Sequence, residues 1–172
     1  MNKFLNSFVF PVMIFFAVIF AAYSAVMYSF KHIKSDPINQ KYATMKEMNK
    51  SLSCLADNIY GESAGEDAQS KISVAQVTIN RLNSGKFGKD LCSVVNSPYQ
   101  FSWTVSMPKS LKVRNPKAYN ESMEVAKKVL LEGFRLPSIK TALWYHADYI
   151  NPIWNRKMKR VAKIGNHIFY EG

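Results

Sequence analysis

The first part of the chain is a long apolar run without charge. Residues 8–30, FVFPVMIFFAVIFAAYSAVMYSF, contain no Asp, Glu, Lys or Arg. About 20 apolar residues in helical form span the hydrocarbon core of a bilayer. The pattern therefore predicts a transmembrane helix or signal-anchor within residues 1–30, with the rest of the chain outside the membrane.

A cleaved signal peptide is the alternative interpretation of the same run. Lys3 supplies a basic start, and Tyr23-Ser24-Ala25 loosely resembles a small-residue cleavage site. The run is longer than the ~7–15 apolar residues usual in a signal peptide, which favours a retained helix. Both interpretations export the domain, whereas the charges that flank the run do not fix its orientation.

The segment after the apolar run is polar and contains a proline. Residues 31–46, KHIKSDPINQKYATMK, carry Pro37 and are interpreted as a linker between membrane and domain. Residues 47–172 remain, which is a length typical of one domain with one hydrophobic core. We therefore expect a single domain at 47–172.

Apolar positions in this domain first recur at helical spacing. Met48, Leu52, Leu55 and Ile59 follow an i, i+4, i+7, i+11 pattern. Together with residues that start and stop helices, such patterns predict four helices: 45–60; 67–82, ended by Asn83-Ser84-Gly85; a short helix from an Asp90 cap through Val95; and a helix from Asn115-Pro116 to about Glu132.

The C-terminal part of the chain has a different pattern. Thr141–His146 and His167–Tyr170 are rich in aromatic and β-branched residues, and both segments predict short strands. The predicted fold class is therefore α+β. We expect a helix-rich single domain with a small β-sheet, preceded by the N-terminal transmembrane helix.

Charge and cysteine content narrow the partners and the compartment without deciding them. The 23 Lys and Arg against 12 Asp and Glu give a net charge of +11. Such a surface attracts polyanions, including nucleic acid, anionic lipid and anionic wall polymers. Cys54 and Cys92 form no zinc-type cluster. They are either buried apolar residues or, in an oxidising compartment, a disulfide pair.

One carboxyl group is a candidate general acid. Glu62 follows Gly61, a poor helix-interior residue, so we expect Glu62 at or just past a helix end, facing a cleft. Apolar neighbours favour the protonated form that a glycosidic oxygen requires. A surface glutamate is the alternative on these residues alone. Glu66 could supply a second carboxylate, but it is expected, with Asp67, to cap the next helix.

Other chemistries find less support in the sequence. His32, His146 and His167 follow no zinc-binding pattern such as HExxH, and we expect no metal or cofactor. No phosphate-binding loop and no Ser or Cys nucleophile motif is present. Aromatic residues are dense after position 99, and they predict either a groove that stacks sugar rings or an aromatic core.

Six blocks of the chain carry a family resemblance. They are CLADNIYGESAGE at 54–66, ISVAQVTINRL at 72–82, LCSVV at 91–95, QFSW at 100–103, ALWYHADYINPIW at 142–154 and IGNHIFY at 164–170. Together they resemble the SleB-like cell-wall hydrolase family, which includes spore-cortex-lytic enzymes. The resemblance extends in the family's order over about residues 52–171.

The resemblance implies a lysozyme-related fold and peptidoglycan as the substrate. It implies lytic transglycosylase cleavage between N-acetylmuramic acid and N-acetylglucosamine, with Glu62 acting as acid and then as base. Muramidase-type hydrolysis, N-acetylmuramoyl-L-alanine amidase activity and non-catalytic wall binding are the alternatives. Ser63 departs from the family, which usually has alanine there. We expect a monomer on the periplasmic side of the inner membrane, without a nucleic-acid partner.

The resemblance also assigns residues around Glu62. With the aromatic density, it implies that the substrate groove is lined by Asn80, Gln100, Phe101, Ser102, Tyr145, His146 and Trp154. Asn80, Arg81 and Gln100 could equally be buried polar struts. Gly165 and His167 are interpreted as structural. Because many exported relatives carry cysteines at both positions, the resemblance implies a Cys54–Cys92 disulfide.

Overall fold

The computed structural model describes residues 16–29, 37–106 and 111–172. The chain divides into two compact units, Met1–Glu47 and Met48–Gly172. Residues 16–29 are helical (α1), and among the described residues no helix is both long and apolar enough to cross a bilayer. The rest of the apolar run, residues 8–15 and 30, lies outside the described part, so the transmembrane helix stays a prediction.

The described elements after α1 are helices followed by a small sheet. The helices are α2 (Pro37–Ser63), α3 (Ala68–Ser84), α4 (Leu91–Asn96), α5 (Ser102–Ser106) and α6 (Pro116–Leu130). Two short 3₁₀ helices, Pro137–Ile139 and Ile153–Lys157, flank β1 (Ala142–Ala147), and β2 (Arg160–Ile164) and β3 (His167–Glu171) complete the domain. This order confirms the predicted helix-rich α+β class.

Helix α2 begins earlier and ends later than the periodicity predicted. Residues interpreted as a linker are helical from Pro37 onward, because proline is well accommodated in the first helical turn, where its missing N–H has no partner to lose. At the other end, α2 continues past Gly61 to Ser63. Glu62 therefore lies in the last turn of the helix, one residue before its end.

The ends of the other long helices follow their capping residues. The Asp67 side chain accepts a hydrogen bond from Ser70 N at 2.8 Å, and Gly85 ends α3 with φ of +67°. Asp90 and Ser93 form a reciprocal capping box at the start of α4. Asn115 caps α6 by accepting from Ala118 N at 3.1 Å. The predicted starts at 67, 90 and 115 are thus confirmed.

The main core lies among α2, α3 and α6. Its buried apolar side chains include Leu52, Leu55, Ile59, Ile72, Ile79, Ala126 and Val129. A disulfide joins Cys54 of α2 to Cys92 of α4, which confirms the pairing implied by the resemblance. The cross-link holds the short helix α4 against the long helix that carries Glu62.

The sheet has the strand order β1-β3-β2 and both of its pairings are antiparallel. The two predicted strands, β1 and β3, are neighbours, with Tyr145 paired to Phe169 and Ala147 to His167. Strand β2 was not predicted. Its sequence RVAKI carries two cations and no aromatic residue, a composition typical of an exposed edge strand.

Side chains alternate between the two faces of this sheet. On one face, the ring of Tyr145 packs against the rings of His167 and Phe169. On the other face, His146 and Tyr170 stack with ring centroids 5.4 Å apart. His146 and His167 therefore lie on opposite faces of the sheet, so these two histidines cannot bind one metal ion together.

Candidate active site

A cleft of about 460 Å³ lies between the end of α2 and the sheet. Its lining comes from the last turn of α2, Arg81 of α3, residues 100–102, the end of β1 with the loop that follows, and the β2–β3 turn. Glu62 and Glu66 are its two carboxylates. The cleft therefore contains two carboxylates, surrounded by aromatic and amide side chains.

The carboxylate of Glu62 is held at both oxygens. Oε1 accepts hydrogen bonds from Ser102 N and Ser102 Oγ, each at 2.8 Å, and a longer one from Trp103 N at 3.5 Å. Oε2 accepts from the Tyr145 hydroxyl at 3.0 Å. Oε1 carries most of these contacts, so Oε2 is the oxygen better placed to exchange a proton with a substrate.

The position of α5, and with it Ser102, is fixed by Trp103. The indole Nε1 donates to Asn58 Oδ1 at 2.8 Å, and the Asn58 amide donates to Thr78 Oγ1 at 2.9 Å. The indole ring also packs against Gly61, where an added Cβ would lie 2.8 Å from Trp103 Cδ2. Gly61 therefore allows close packing of Trp103 beneath the site. The sequence had suggested that Gly61 ends the helix, but α2 continues to Ser63.

Tyr145 supplies a stable donor to Glu62. Its phenol is half-buried, and desolvation raises its pKa well above the usual value, while the charge of Glu62 raises that pKa further. The hydroxyl therefore remains protonated across the physiological range. It can stabilise the Glu62 carboxylate that forms after proton donation.

Arg81 is a buried strut that also places positive charge beside the cleft. Its Nε donates to Leu143 O at 2.8 Å and its Nη1 to Gln100 O at 3.0 Å. Among the described residues, four aromatic rings lie within about 6 Å of the guanidinium, the nearest being Phe101 at 4.8 Å. Burial lowers its pKa, yet an arginine side chain stays charged in proteins.

Most of the predicted groove residues meet in this cleft. Gln100, Phe101, Ser102, Tyr145 and His146 all line it. The structure does not bring Asn80 or Trp154 into the lining. The Asn80 amide donates to Ala142 O at 2.9 Å, and Trp154 packs on the opposite sheet face against His146 and Tyr170.

Several lining residues were not assigned a functional role from the sequence. The cleft is also lined by Glu66, Tyr149, Ile150, Asn166 and His167. Glu66 was expected, together with Asp67, to cap α3, and the residue that caps it is Asp67. The available signal was its spacing of four residues from Glu62. The loop residues carried no signal, because their position depends on how β1 pairs with β3.

Among the described residues, no group of three or more His, Cys, Asp or Glu side chains is arranged to hold a metal ion. His146 lies on the sheet face away from Tyr145, and both of its ring nitrogens already have contacts within the protein. Its two ring nitrogens contact Ala147 O at 2.8 Å and the Tyr170 hydroxyl at 2.9 Å. The imidazole is thus occupied by packing contacts within the sheet.

Comparisons with known proteins identify similar sequences and folds. The chain is 27% identical over 125 residues to the spore cortex-lytic enzyme of Bacillus subtilis (strain 168), covering 72% of this chain and 38% of that protein. It is 28% identical over 120 residues to the spore cortex-lytic enzyme of Bacillus cereus, covering 69% of this chain and 43% of that protein. The chain thus spans less than half of the length of these relatives.

Two solved structures have a similar fold. The catalytic domain of the germination-specific lytic transglycosylase SleB from Bacillus anthracis matches with a TM-score of 0.56 and 27% identity, over 70% of this chain and 93% of that one. The catalytic domain of the Bacillus cereus SleB protein matches with a TM-score of 0.57 and 26% identity, over 72% and 91%. Residues 65–170 also match the family described as Cell Wall Hydrolase. That match covers more than half of the sequence, and the chain therefore belongs to the Cell Wall Hydrolase family.

Proposed function

We propose that the chain cleaves the glycan strands of peptidoglycan as a lytic transglycosylase, with Glu62 as acid and then base. The observation that carries this proposal is the setting of Glu62 in the cleft. Its Oε1 is fixed by Ser102 and its Oε2 faces the cleft beside Tyr145. The similarity to a domain named as a lytic transglycosylase supports the choice of reaction.

The reaction needs one carboxyl group that changes role. Protonated Glu62 gives its proton to the bridging oxygen, and the C1–O bond breaks with its electron pair leaving on that oxygen. The resulting positive charge is shared by C1 and the ring oxygen of the muramic acid. The C6 hydroxyl of the same sugar then bonds to C1 and returns its proton to Glu62, which gives a 1,6-anhydro end.

The chain's other residues support this cycle by holding the carboxylate between the two proton transfers. The Ser102 N–H and hydroxyl and the Tyr145 hydroxyl all donate to Glu62. These three donors stabilise the charge that develops on the glutamate once its proton has left. Gln100 lies in the same lining and is proposed to contact the sugars, whereas the imidazole of His146 is held on the opposite face of the sheet by Tyr170 and Ala147.

The test is the variant Glu62→Gln in the purified full-length chain. The amide keeps the shape of the side chain and its contact with Ser102 but cannot deliver the proton. We expect release of muropeptides from purified peptidoglycan to fall by about 10³-fold or more. Glu124→Gln, a surface change on α6, is the matched control and should leave the rate unchanged.

Mass spectrometry of the released products separates the possible reactions. Ends of the 1,6-anhydro type support transglycosylation, and reducing muramic ends would replace it with muramidase-type hydrolysis. Release of free stem peptides would indicate an amidase. A Glu62→Gln variant that keeps the wild-type rate, or a wild type that binds peptidoglycan without cutting it, would contradict the proposed mechanism.

We also propose that residues 8–30 tether the domain to the inner membrane, with the cleft on the periplasmic side. The support is the uncharged apolar run and the Cys54–Cys92 disulfide. Disulfides persist in the periplasm and are rare in the cytosol. Peptidoglycan lies outside the inner membrane, so a periplasmic domain would meet its substrate.

A further inference from the structure

A buried polar cluster adjoins the cleft and takes no part in the contacts of Glu62. It consists of Glu66, Ser70 and His167. His167 Nδ1 lies 3.4 Å from Glu66 Oε2, and the two side chains are 7% and 18% exposed. These two atoms and Ser70 Oγ are buried without a hydrogen-bond partner among the described residues.

The fold places the Glu66 carboxylate here through two tight turns. Glu66 follows the end of α2, and its N–H donates to Ser63 O at 3.0 Å. Gly165, with φ of +53°, forms the β2–β3 turn directly over the cluster. A Cβ at Gly165 would collide with Ser70 Oγ and lie 3.2 Å from Glu66 Oε2. Glycine therefore allows the hairpin to press against this carboxylate.

Capping does not explain the position of Glu66. The N–H of Ser70, in the first turn of α3, donates to Asp67 Oδ1 at 2.8 Å and so does not need Glu66 as an acceptor. Nor does packing explain it, because a buried carboxylate costs stability unless it is well paired, and its imidazole partner is at a long distance. Such costs are typically retained at functional sites.

The cluster faces the same cleft as the catalytic carboxylate. Glu62, Glu66, Tyr145 and His167 all belong to its lining. The rings of Tyr145 and His167 meet edge to face with centroids 5.1 Å apart, and the Tyr145 hydroxyl reaches Glu62 Oε2. Glu66 therefore lines the same cleft in which a sugar ring would contact Glu62.

We propose that Glu66 is a second catalytic carboxylate, which stabilises the positive charge on the cleaved sugar, and that His167 is its positioning residue. This inference rests on the proposed glycan cleavage. Glu66 exchanges no proton in the cycle, while Glu62 donates its proton to the leaving oxygen and regains one from the C6 hydroxyl. The negative charge of Glu66 lowers the energy of the cationic transition state only, so it acts on kcat.

The first test is Glu66→Gln, which removes the charge and keeps the size. On soluble uncrosslinked glycan strands we expect kcat to fall about 100-fold with KM changed by less than about 2-fold. Glu124→Gln removes the same charge outside the cleft and should leave both constants unchanged. Circular dichroism and thermal unfolding verify that each variant is folded.

A second readout separates an electrostatic role from a structural one. In Glu66→Ala, added formate can enter the space left by the side chain and restore the negative charge, and we expect it to raise kcat at least about 10-fold. His167→Gln should lower kcat alone but add nothing in the Glu66→Gln background, because His167 acts through Glu66.

The outcomes distinguish this inference from the proposed function. If Glu62→Gln is inactive while Glu66→Gln keeps the wild-type kcat, the role of Glu66 is overturned and the glycan cleavage stands. If the wild type does not cleave glycan strands, both are overturned. If Glu66→Gln fails to fold, Glu66→Asp takes its place, since its shorter side chain retracts the charge, and an unchanged kcat would then overturn the role.

Discussion

At the scale of single residues, the site depends on contacts that a sequence does not display. Glu62 could be chosen as the candidate acid from its sequence block. Its donors, Ser102 and Tyr145, come from segments 40 and 83 residues away. Gly61 shows the same limit, because its role depends on the Trp103 ring that folds onto it. Local sequence predicted that Gly61 would end a helix, and only the tertiary contact gives the actual reason for it.

Gly61→Ala tests that packing. Alanine favours a helix by about 1 kcal/mol over glycine, but its methyl group would overlap the Trp103 ring, which the Asn58 hydrogen bond holds in place. Overpacking costs about 1–3 kcal/mol, so we expect a net loss of up to about 2 kcal/mol and lower activity through displacement of Ser102. Denaturant unfolding and peptidoglycan release measure the two effects.

Gly65→Ala is the matched control, because an added Cβ there meets nothing within 4 Å. It should change the free energy of unfolding by less than about 0.5 kcal/mol. Equal stability of the two alanine variants would show that the Trp103 contact does not constrain position 61.

At the scale of elements, helix starts were predictable and strand content was less so. Asp67, Asp90 and Asn115 cap their helices as predicted, because a cap depends on residues within one turn. Strand β2 forms by pairing with β3, and its mixed basic sequence carries no local signal for that. The late start assigned to α2 has the same origin, since the polar residues after Pro37 show no apolar period.

A hydrogen bond between α2 and α6 depends on a tyrosine that can lose its proton at alkaline pH. The Tyr119 hydroxyl donates to Asp57 Oδ1 at 2.9 Å. Burial, with the hydrogen bond and charge of Asp57, raises the pKa of Tyr119 from 10.0 to about 12. A raised pKa means that this contribution to stability is complete below pH 10 and is lost as pH rises toward about 12.

Tyr119→Phe should remove that pH dependence. We expect the difference in free energy of unfolding between the wild type and the variant to shrink between pH 10 and pH 12. Denaturant midpoints across this range measure it. Tyr149→Phe, at a residue that is 84% exposed, controls for loss of a phenol. A difference that is constant with pH would refute the coupling.

At the scale of the whole molecule, one proposed location, the periplasm, would account for the disulfide, the apolar run and the substrate together. The Cys54–Cys92 bond lies in the unit that carries the cleft, and residues 8–30 belong to the other unit. The three features were inferred from different parts of the chain. All three are consistent with the proposed periplasmic placement of the cleft, so the redox state of the two cysteines can report on export by the apolar run.

The last prediction follows from that link. In cells that express the full chain, we expect Cys54 and Cys92 to resist a maleimide reagent until a reductant is added, and the protein to sediment with membranes. Deletion of residues 8–30 should leave the domain in the cytoplasm, where both thiols are reduced. Gel mobility after labelling of denatured extracts measures the thiols. Free thiols in the full-length chain would contradict the periplasmic placement, and a full-length chain recovered in the soluble fraction with its disulfide intact would point to cleavage of the signal instead of a tether.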